Sequence, residues 1–492
     1  MKRILSLLLA ALMVGSTLVA CSETPAETTD TTAAIVETTP EVTTEPEETK
    51  IPSGLPETMD LKGQTFTFYG KTETGVYAEE ETGDKVNDVV FARNLALQEK
   101  YNFKIFQEKL KNQTNPTKDI QASVQAGDDT YQVLIDGPGN SLRNFVTNML
   151  LVDMTTMKYQ DFEQPWWFQE LNNSVSLANK LYMTAGSFSL SARSWLYMVI
   201  CNTELMKANG LNIADYYQMA YDGTWTNDEF IKMIKVGAAD LNGDGVRDHN
   251  DRWGHLGEDY AGYCLAVGAG YMITQKDEND KPIVSAATEE GVILWDKLVN
   301  NIFANANNYL CIRNIKNVSS IWSEMTRMIQ NDQAMTWITT LGNAYREYEI
   351  DYGILPIPKG SLEQESYYHT ASSYNVPLMG VPITAKNLEE ISFVLEAMAY
   401  TSYYDVLPTF YEDYLETKLV RDRESVDMLR IVHDTIVLDA GAVYGWGYYL
   451  NEIYKVVNTG TNTLVTFDAS KKASTQKTID TVIERVKAGN EG

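Results

Sequence analysis

The densest run of hard oxygen donors in the chain is Asp240-Leu-Asn242-Gly-Asp244-Gly245-Val246-Arg-Asp248-His-Asn-Asp251. Calcium takes six to eight oxygen ligands on a loop whose sharp turn needs a glycine. Here Asp240, Asn242, Asp244, the Val246 carbonyl, Asp248 through a water, and Asp251 supply such donors, and Gly245 supplies the turn. One departure from that pattern is Asp251, which stands where a longer Glu ordinarily chelates. The second reading of the same residues is a metal-free loop held by Asn and Asp side chains bonding to nearby backbone. Either reading makes the loop structural, with Ca2+ as the one expected cofactor.

Other chemistries fail on spacing. A phosphate-cradling loop at Gly70-Lys71-Thr72 would need a glycine where Thr65 stands, and Gly137-Pro138-Gly139 lacks the third glycine of a dinucleotide turn. No GxSxG and no HExxH occurs, and four His leave little for a zinc enzyme. With 67 acidic residues, a carboxylate pair suited to glycoside hydrolysis is always available on paper and decides nothing. Of the four Cys, Cys201, Cys264 and Cys311 allow at most one disulfide or serve as buried thiols. Nine Trp and 29 Tyr are a rich supply of flat rings, which stack on the C–H faces of sugars while carboxylates, amides and cations bind the hydroxyls. That composition suits a carbohydrate cleft. Trp295, on a helix stripe, reads as core, and Trp166 and Trp167 after Pro165 read as anchors for a surface helix.

The elements that must position these groups alternate. Strands at Gln64 to Tyr69, Phe103 to Gln107 and Tyr131 to Ile135 are separated by helices at Lys85 to Tyr101 and Thr117 to Ala126, which implies a parallel sheet. In the first helix Val86, Val89, Val90, Phe91, Leu95 and Leu97 read as the covering face, with Asn87, Asp88, Arg93, Asn94 and Gln98 opposite. Thr226-x-x-Glu229 and Thr288-Glu289-Glu290 read as openings of two further helices. Helices dominate after Asn387, with Ile391, Val394, Leu395 and Met398 on one stripe and Val482, Ile483 and Val486 on the last.

A net charge of −27 disfavours nucleic acid and anionic membrane surfaces as partners. At the start, Lys2 and Arg3 precede an apolar run from Ile4 to Val14 that is too short to span a bilayer, followed by Leu18-Val19-Ala20-Cys21. This reads as a signal peptide, residues 1–20, ending in a tetrapeptide that resembles a bacterial lipobox. The resemblance implies a diacylglycerol on Cys21. Ser22 to Thr49 holds ten Thr, eight acidic residues and three Pro without an aromatic, so residues 21–57 read as a lipidated cysteine and a disordered tether.

From about Leu61 onward the chain resembles extracellular solute-binding proteins of bacterial ABC importers, in the carbohydrate-binding group that includes maltodextrin-binding proteins. The matching stretches are Pro165-Trp166-Trp167, Tyr182 to Asn202, Gly223-Thr-Trp225-Thr, the calcium-like loop, Ala334-Met-Thr-Trp337, and Tyr352-Gly-Ile-Leu-Pro356-Ile-Pro-Lys359. The resemblance implies an α/β fold of two discontinuous lobes around a ligand cleft, with residues 58–190 and 357–410 in one lobe and 191–356 and 411–492 in the other. By position it implies ligand contacts from Lys71, Glu73, Asp136, Arg193, Trp195, Glu258, Tyr260, Trp337, Tyr374 and Trp446. Related chains carry a Trp where this one has Leu341, so the sugar platform implied at Trp337 departs from the family pattern. The function implied is a monomeric, lipid-anchored binding protein on the outer face of the cytoplasmic membrane. It would pass a carbohydrate to permease subunits without catalysis. The alternatives are an extracellular carbohydrate-active enzyme with two cleft carboxylates and a surface adhesion module.

Overall fold

Strand β1 (Gln64–Gly70) sets the first sheet, because Phe66 and Phe68 point inward while Thr65 and Thr67 are less buried. It pairs in parallel with β2 (Phe103–Lys109) and β3 (Val133–Asp136). The parallel crossovers are helices α1 (Lys85–Tyr101) and α2 (Pro116–Ala126), as the alternation predicted. In this computed structural model the described residues are 50–109, 116–305, 307–342, 350–415 and 422–489. Cys21, the leader and nearly all of the tether lie outside them. Residues Ile51–Gly492 form one compact unit.

Helix α1 corrects the expected face. Its N-cap Asp84 accepts the Val86 and Asn87 amides, and its buried stripe is Val86, Val90, Arg93, Asn94, Leu97 and Tyr101, while Leu95 is exposed. Arg93 and Asn94 turn inward because they hold the loop after β1. Arg93 donates to the carbonyls of Gly75 (2.6 Å) and Val76 and to the Ser402 hydroxyl, and Asn94 donates to the Val76 carbonyl at 3.0 Å. A polar pair buried among carbonyls satisfies acceptors that would otherwise be stranded away from water.

The second sheet runs β10 (Tyr352–Leu355), β4 (Tyr197–Asn202), β9 (Ala334–Thr340), β5 (Trp253–Gly257), β8 (Tyr309–Cys311). Strands β5, β8 and β9 are mutually parallel and β4 runs against β9, so the start of β4 lies beside the carboxyl end of β9, with Tyr197 opposite Thr340. A two-stranded ribbon, β6 (Thr274–Lys276) and β7 (Pro282–Val284), stands apart from it. The first sheet is completed by β11 (Leu378–Gly380), antiparallel to β3. Sheet one therefore draws on residues 64–136 and 378–380, and sheet two on residues 197–355.

The helices that cover the second sheet are α3 (Asn227–Val236), α4 (Asp259–Gly268), α5 (Glu289–Leu298) and α6 (Ile321–Gln330). Later come α7 (Leu388–Thr401), α8 (Arg423–Asp434), α9 (Tyr449–Thr459) and α10 (Leu464–Ala488). Thr288 caps α5 by accepting the Gly291 amide, whereas Thr226 precedes α3 without a side-chain cap. The predicted stripes of α7 and α10 are buried, and Trp295 is core. Trp166 and Trp167 are interior rather than superficial, because their indole N–H groups donate to the two oxygens of buried Glu396 at 2.6 and 2.9 Å. Cys201, Cys264 and Cys311 are buried free thiols.

Candidate functional site

In open α/β sheets, ligands bind beyond the carboxyl ends of the strands, where chain direction gathers loops from several elements. In the second sheet that edge collects Glu258 after β5, Arg313 after β8, Thr339 near the end of β9, and Trp195 and Tyr197 at the start of β4. Helix α6 adds Trp322 and Met325, helix α9 adds Tyr454, and the crossover before β11 adds Ser372 and Asn375. Together they enclose a cavity of about 460 Å³. A groove of about 890 Å³ lies elsewhere, between residues 269–297 and 360–368, away from the carboxyl ends of the second sheet.

The cavity wall carries rings and a small charged network. Tyr197 and Tyr260 lie 5.1 Å apart at 38°, and the Tyr260 hydroxyl donates to the Ala371 carbonyl at 2.6 Å, which fixes its ring. Tyr197 donates to Glu258 at 3.1 Å. Arg313 lies 3.6 Å from Glu258 and 3.4 Å from Asp259, and its guanidinium sits 5.2 Å from the Trp322 ring. Burial, and then the neighbouring Asp259 charge, push the Glu258 carboxyl above the usual range, while Tyr197 and Arg313 act the other way. Trp322 remains about half exposed, an unusual position for an indole unless something covers it.

A second edge belongs to sheet one. Since β1 and β3 are parallel, Lys71 and Asp136 emerge side by side. Lys71 donates to the Tyr374 carbonyl and lies 3.8 Å from Asp136. Asp136 accepts Gly137 N–H (2.7 Å), the Ser141 hydroxyl (2.5 Å) and Asn140 (3.3 Å), and Asn140 also donates to the Tyr374 carbonyl at 2.9 Å. Burial lowers the Lys71 ammonium and the Asp136 charge partly restores it. Two glycines permit the close approach: Gly70, at φ +136°, where a Cβ would lie 1.9 Å from the Ile135 carbonyl, and Gly137, where one would lie 2.5 Å from that of Tyr374.

Segment 370–375 touches both edges. Thr370 and Ala371 carbonyls accept from Tyr197 and Tyr260 on one side, and Ser373 and Tyr374 carbonyls accept from Gly139, Lys71 and Asn140 on the other. The structure thus brings together Trp195, Glu258 and Tyr260 in the cavity wall, with Lys71, Asp136 and exposed Tyr374 on the adjoining edge.

Four expected contacts are corrected. Glu73 is buried beneath the loop; one oxygen accepts Ser191 N–H at 2.7 Å and Gly75 N–H at 3.3 Å, the other has no partner, and burial pushes the carboxyl up to about 7. Arg193 is interior, 4.6 Å over Phe168 and donating to Tyr411 at 3.1 Å. Trp337 faces the sheet core with no exposed surface, and Trp446 is buried against Tyr444 at 4.7 Å and 16°. Each is buried, and none lines the cavity. The residues that sequence reasoning missed are Tyr197, Asp259, Arg313, Trp322 and Tyr454. Tyr197, the first residue of β4, lies two residues beyond Trp195, which ends the short helix before it, and that closeness in sequence was the usable signal.

The expected calcium loop is shaped by its own backbone. Asp240 accepts Gly243 and Gly245 amides at 2.7 and 3.0 Å, Asn242 accepts Asp244, Asp244 accepts Val246 and Asp248 accepts Asn250. Asp251 is fully buried, accepts Leu241 and Asp248 amides at 3.0 Å each, and lies 3.8 Å from Arg247. Among the described residues no three His, Cys, Asp or Glu side chains gather closely enough to hold a metal ion. In this arrangement Asp251 faces Arg247 and two loop amides.

Residues 62–402 match the model of the bacterial extracellular solute-binding protein family, and the chain belongs to that family. Among solved structures it is similar to M. tuberculosis UspC, at 11% identity, covering 85% of this chain and 100% of the other with a TM-score of 0.54. A sugar transporter from Rhizobium etli in an open conformation gives 12% identity, coverage of 85% and 99%, and a TM-score of 0.52. A Listeria monocytogenes ABC substrate-binding protein in complex with cycloalternan gives 13%, 87% and 100%, and 0.49. No significant match is found among curated proteins. Fold and family together define a two-lobed solute-binding protein.

Proposed function

We propose that this protein, anchored through a lipid on Cys21, captures a carbohydrate outside the cell for an ABC importer and releases it unaltered. The observation that carries the carbohydrate reading is the cavity lined by Trp195, Tyr197, Tyr260, Trp322 and Tyr454 around the Glu258–Asp259–Arg313 network. Rings offer stacking faces, and the charged groups offer strong acceptors and donors for hydroxyls. The Rhizobium etli structure of the same fold is described as a sugar transporter, which supports the reading. A cavity of about 460 Å³ suits a short oligosaccharide. The two lobes, 58–190 with 357–410 and 191–356 with 411–492, close on it by hinge motion. The protein acts as a monomer and meets permease subunits in the closed form.

The absence of catalysis belongs to the same proposal. Glu258 and Asp259 are chain neighbours sharing Arg313, rather than two carboxylates flanking a bond from opposite sides. A thermal-shift screen with mono- and oligosaccharides should find a ligand that raises the melting temperature, and that ligand should be recovered intact. Cleavage of the ligand, abolished by Glu258→Gln, would replace the carrier with a carbohydrate-active enzyme. A structural Ca2+ at Asp240–Asp251 is supported by spacing alone. Calorimetric titration of the chelated protein with calcium tests it, and absence of heat would leave the loop an Asx-turn assembly.

A further inference from the structure

We infer that the cavity selects its saccharide by charge, accepting neutral and amino-bearing sugars and rejecting uronic acids; this rests on the carbohydrate reading above. Among the described residues lining the cavity, the charged ones are Glu258, Asp259 and Arg313, two carboxylates against one guanidinium. Arg313 is already shared. Its Nη2 lies 3.6 Å from Glu258 Oε2, its Nε lies 3.4 Å from Asp259 Oδ1, and its plane is over Trp322. A sugar carboxylate would have to compete with two resident carboxylates for that one fork, in a partly desolvated setting where like charges repel strongly.

Two other features that could attract an anion are also committed. The N-terminus of the ten-residue helix α4 opens on the cavity, but two carboxylates already stand there: Glu258 is its N-cap residue, without a side-chain bond to the helix amides, and Asp259 Oδ1 accepts the Tyr260 amide at 3.1 Å, so a further anion would meet like charge at the positive end. On the first-sheet edge, outside the cavity lining, Lys71 is turned to the Tyr374 carbonyl and balanced by Asp136. An ammonium group finds the opposite situation, because Glu258 Oε1 accepts only the Tyr197 hydroxyl at 3.1 Å and retains acceptor capacity.

The test is calorimetry and thermal shift at pH 7.5 with α-1,4 and β-1,4 disaccharides, each in neutral, 2-amino and uronic forms. The uronic form should bind at least tenfold more weakly than its neutral counterpart, and the amino form at least as tightly. The gap should shrink in 0.5 M NaCl and in Glu258→Gln, with Asp259→Asn as the second variant if the first misfolds. A uronic form binding within twofold of its neutral counterpart overturns the charge selection while leaving the carbohydrate reading intact. No response to any saccharide of any charge overturns both.

Discussion

The carboxyl-end edges of the two sheets, linked by segment 370–375, are made of different materials. The edge from the second sheet is aromatic and carries an unevenly charged network, with a half-exposed Trp322 and a Glu258 that accepts one hydroxyl and an imperfectly placed Arg313. The edge from the first sheet is small and mostly polar: Lys71 and Asn140 each reach Asp136 and the Tyr374 carbonyl, the buried Ser373 hydroxyl has no partner among the described residues, and the Tyr374 ring is about half exposed. Surface with unused stacking faces and acceptors is where a ligand gains free energy, and the second-sheet edge holds more of it, since Lys71, Asp136 and Asn140 are already committed to one another's partners. Binding energy should therefore come mainly from the second sheet.

The largest expected break in that comparison separates rings inside the second sheet from rings on its edge. Trp337→Ala should destabilise the fold by about 3–5 kcal/mol, measured by urea unfolding, because it empties a fully buried site, and the protein that remains folded should bind as before. A Trp337→Ala protein of normal stability that no longer binds would place this ring on the ligand.

Next comes a pH effect that belongs to the first-sheet side. Glu73 is held by burial at about 7 in the fold, against about 4.5 when exposed. Between those values the folded protein keeps a proton that the unfolded chain has lost, so stability falls as pH rises through the window. The loss from this group amounts to about 3 kcal/mol. Glu396, also pushed to about 7 mainly by burial, adds to the same slope. Glu73→Gln mimics the protonated form and should flatten the slope in denaturation curves at pH 5 and pH 8. An unchanged slope would mean that Glu73 is charged in the fold.

The order of strands and crossover helices was legible because hydrophobic period and turn chemistry are local, and so was the gathering of Lys71 with Asp136, since two parallel strands end together. The failures are also physical. Arg93 and Asn94 were placed on the solvent face of α1 because polarity predicts exposure, yet the carbonyls of the loop after β1 needed donors from within. Trp337 and Trp446 carried the same residue type as Trp195 and Trp322, and composition cannot say which side of the backbone faces the core. Arg313 and Tyr454 reach the cavity from β8 and α9, far apart in sequence, and only the pairing of β8 with β5 and the docking of α9 on α4 bring them there.

Among edge residues, Trp322→Ala should weaken saccharide binding about tenfold, or about 1.4 kcal/mol, while moving the melting temperature little, since half of the ring is in solvent. Equal losses of stability and affinity would make it a packing residue and narrow the contrast between the edges.

The smallest effect should come from Lys71→Met, which keeps the apolar stem and removes the ammonium. The Tyr374 carbonyl still has Asn140 at 2.9 Å, and Asp136 still has Gly137, Ser141 and Asn140, so neither acceptor is stranded. Affinity measured by calorimetry should change less than threefold. A loss beyond tenfold would mean that closure turns Lys71 away from the Tyr374 carbonyl and onto the ligand. The first-sheet edge would then be a binding surface in its own right, and the bonds that now tie up Lys71 would be exchanged for bonds to the saccharide.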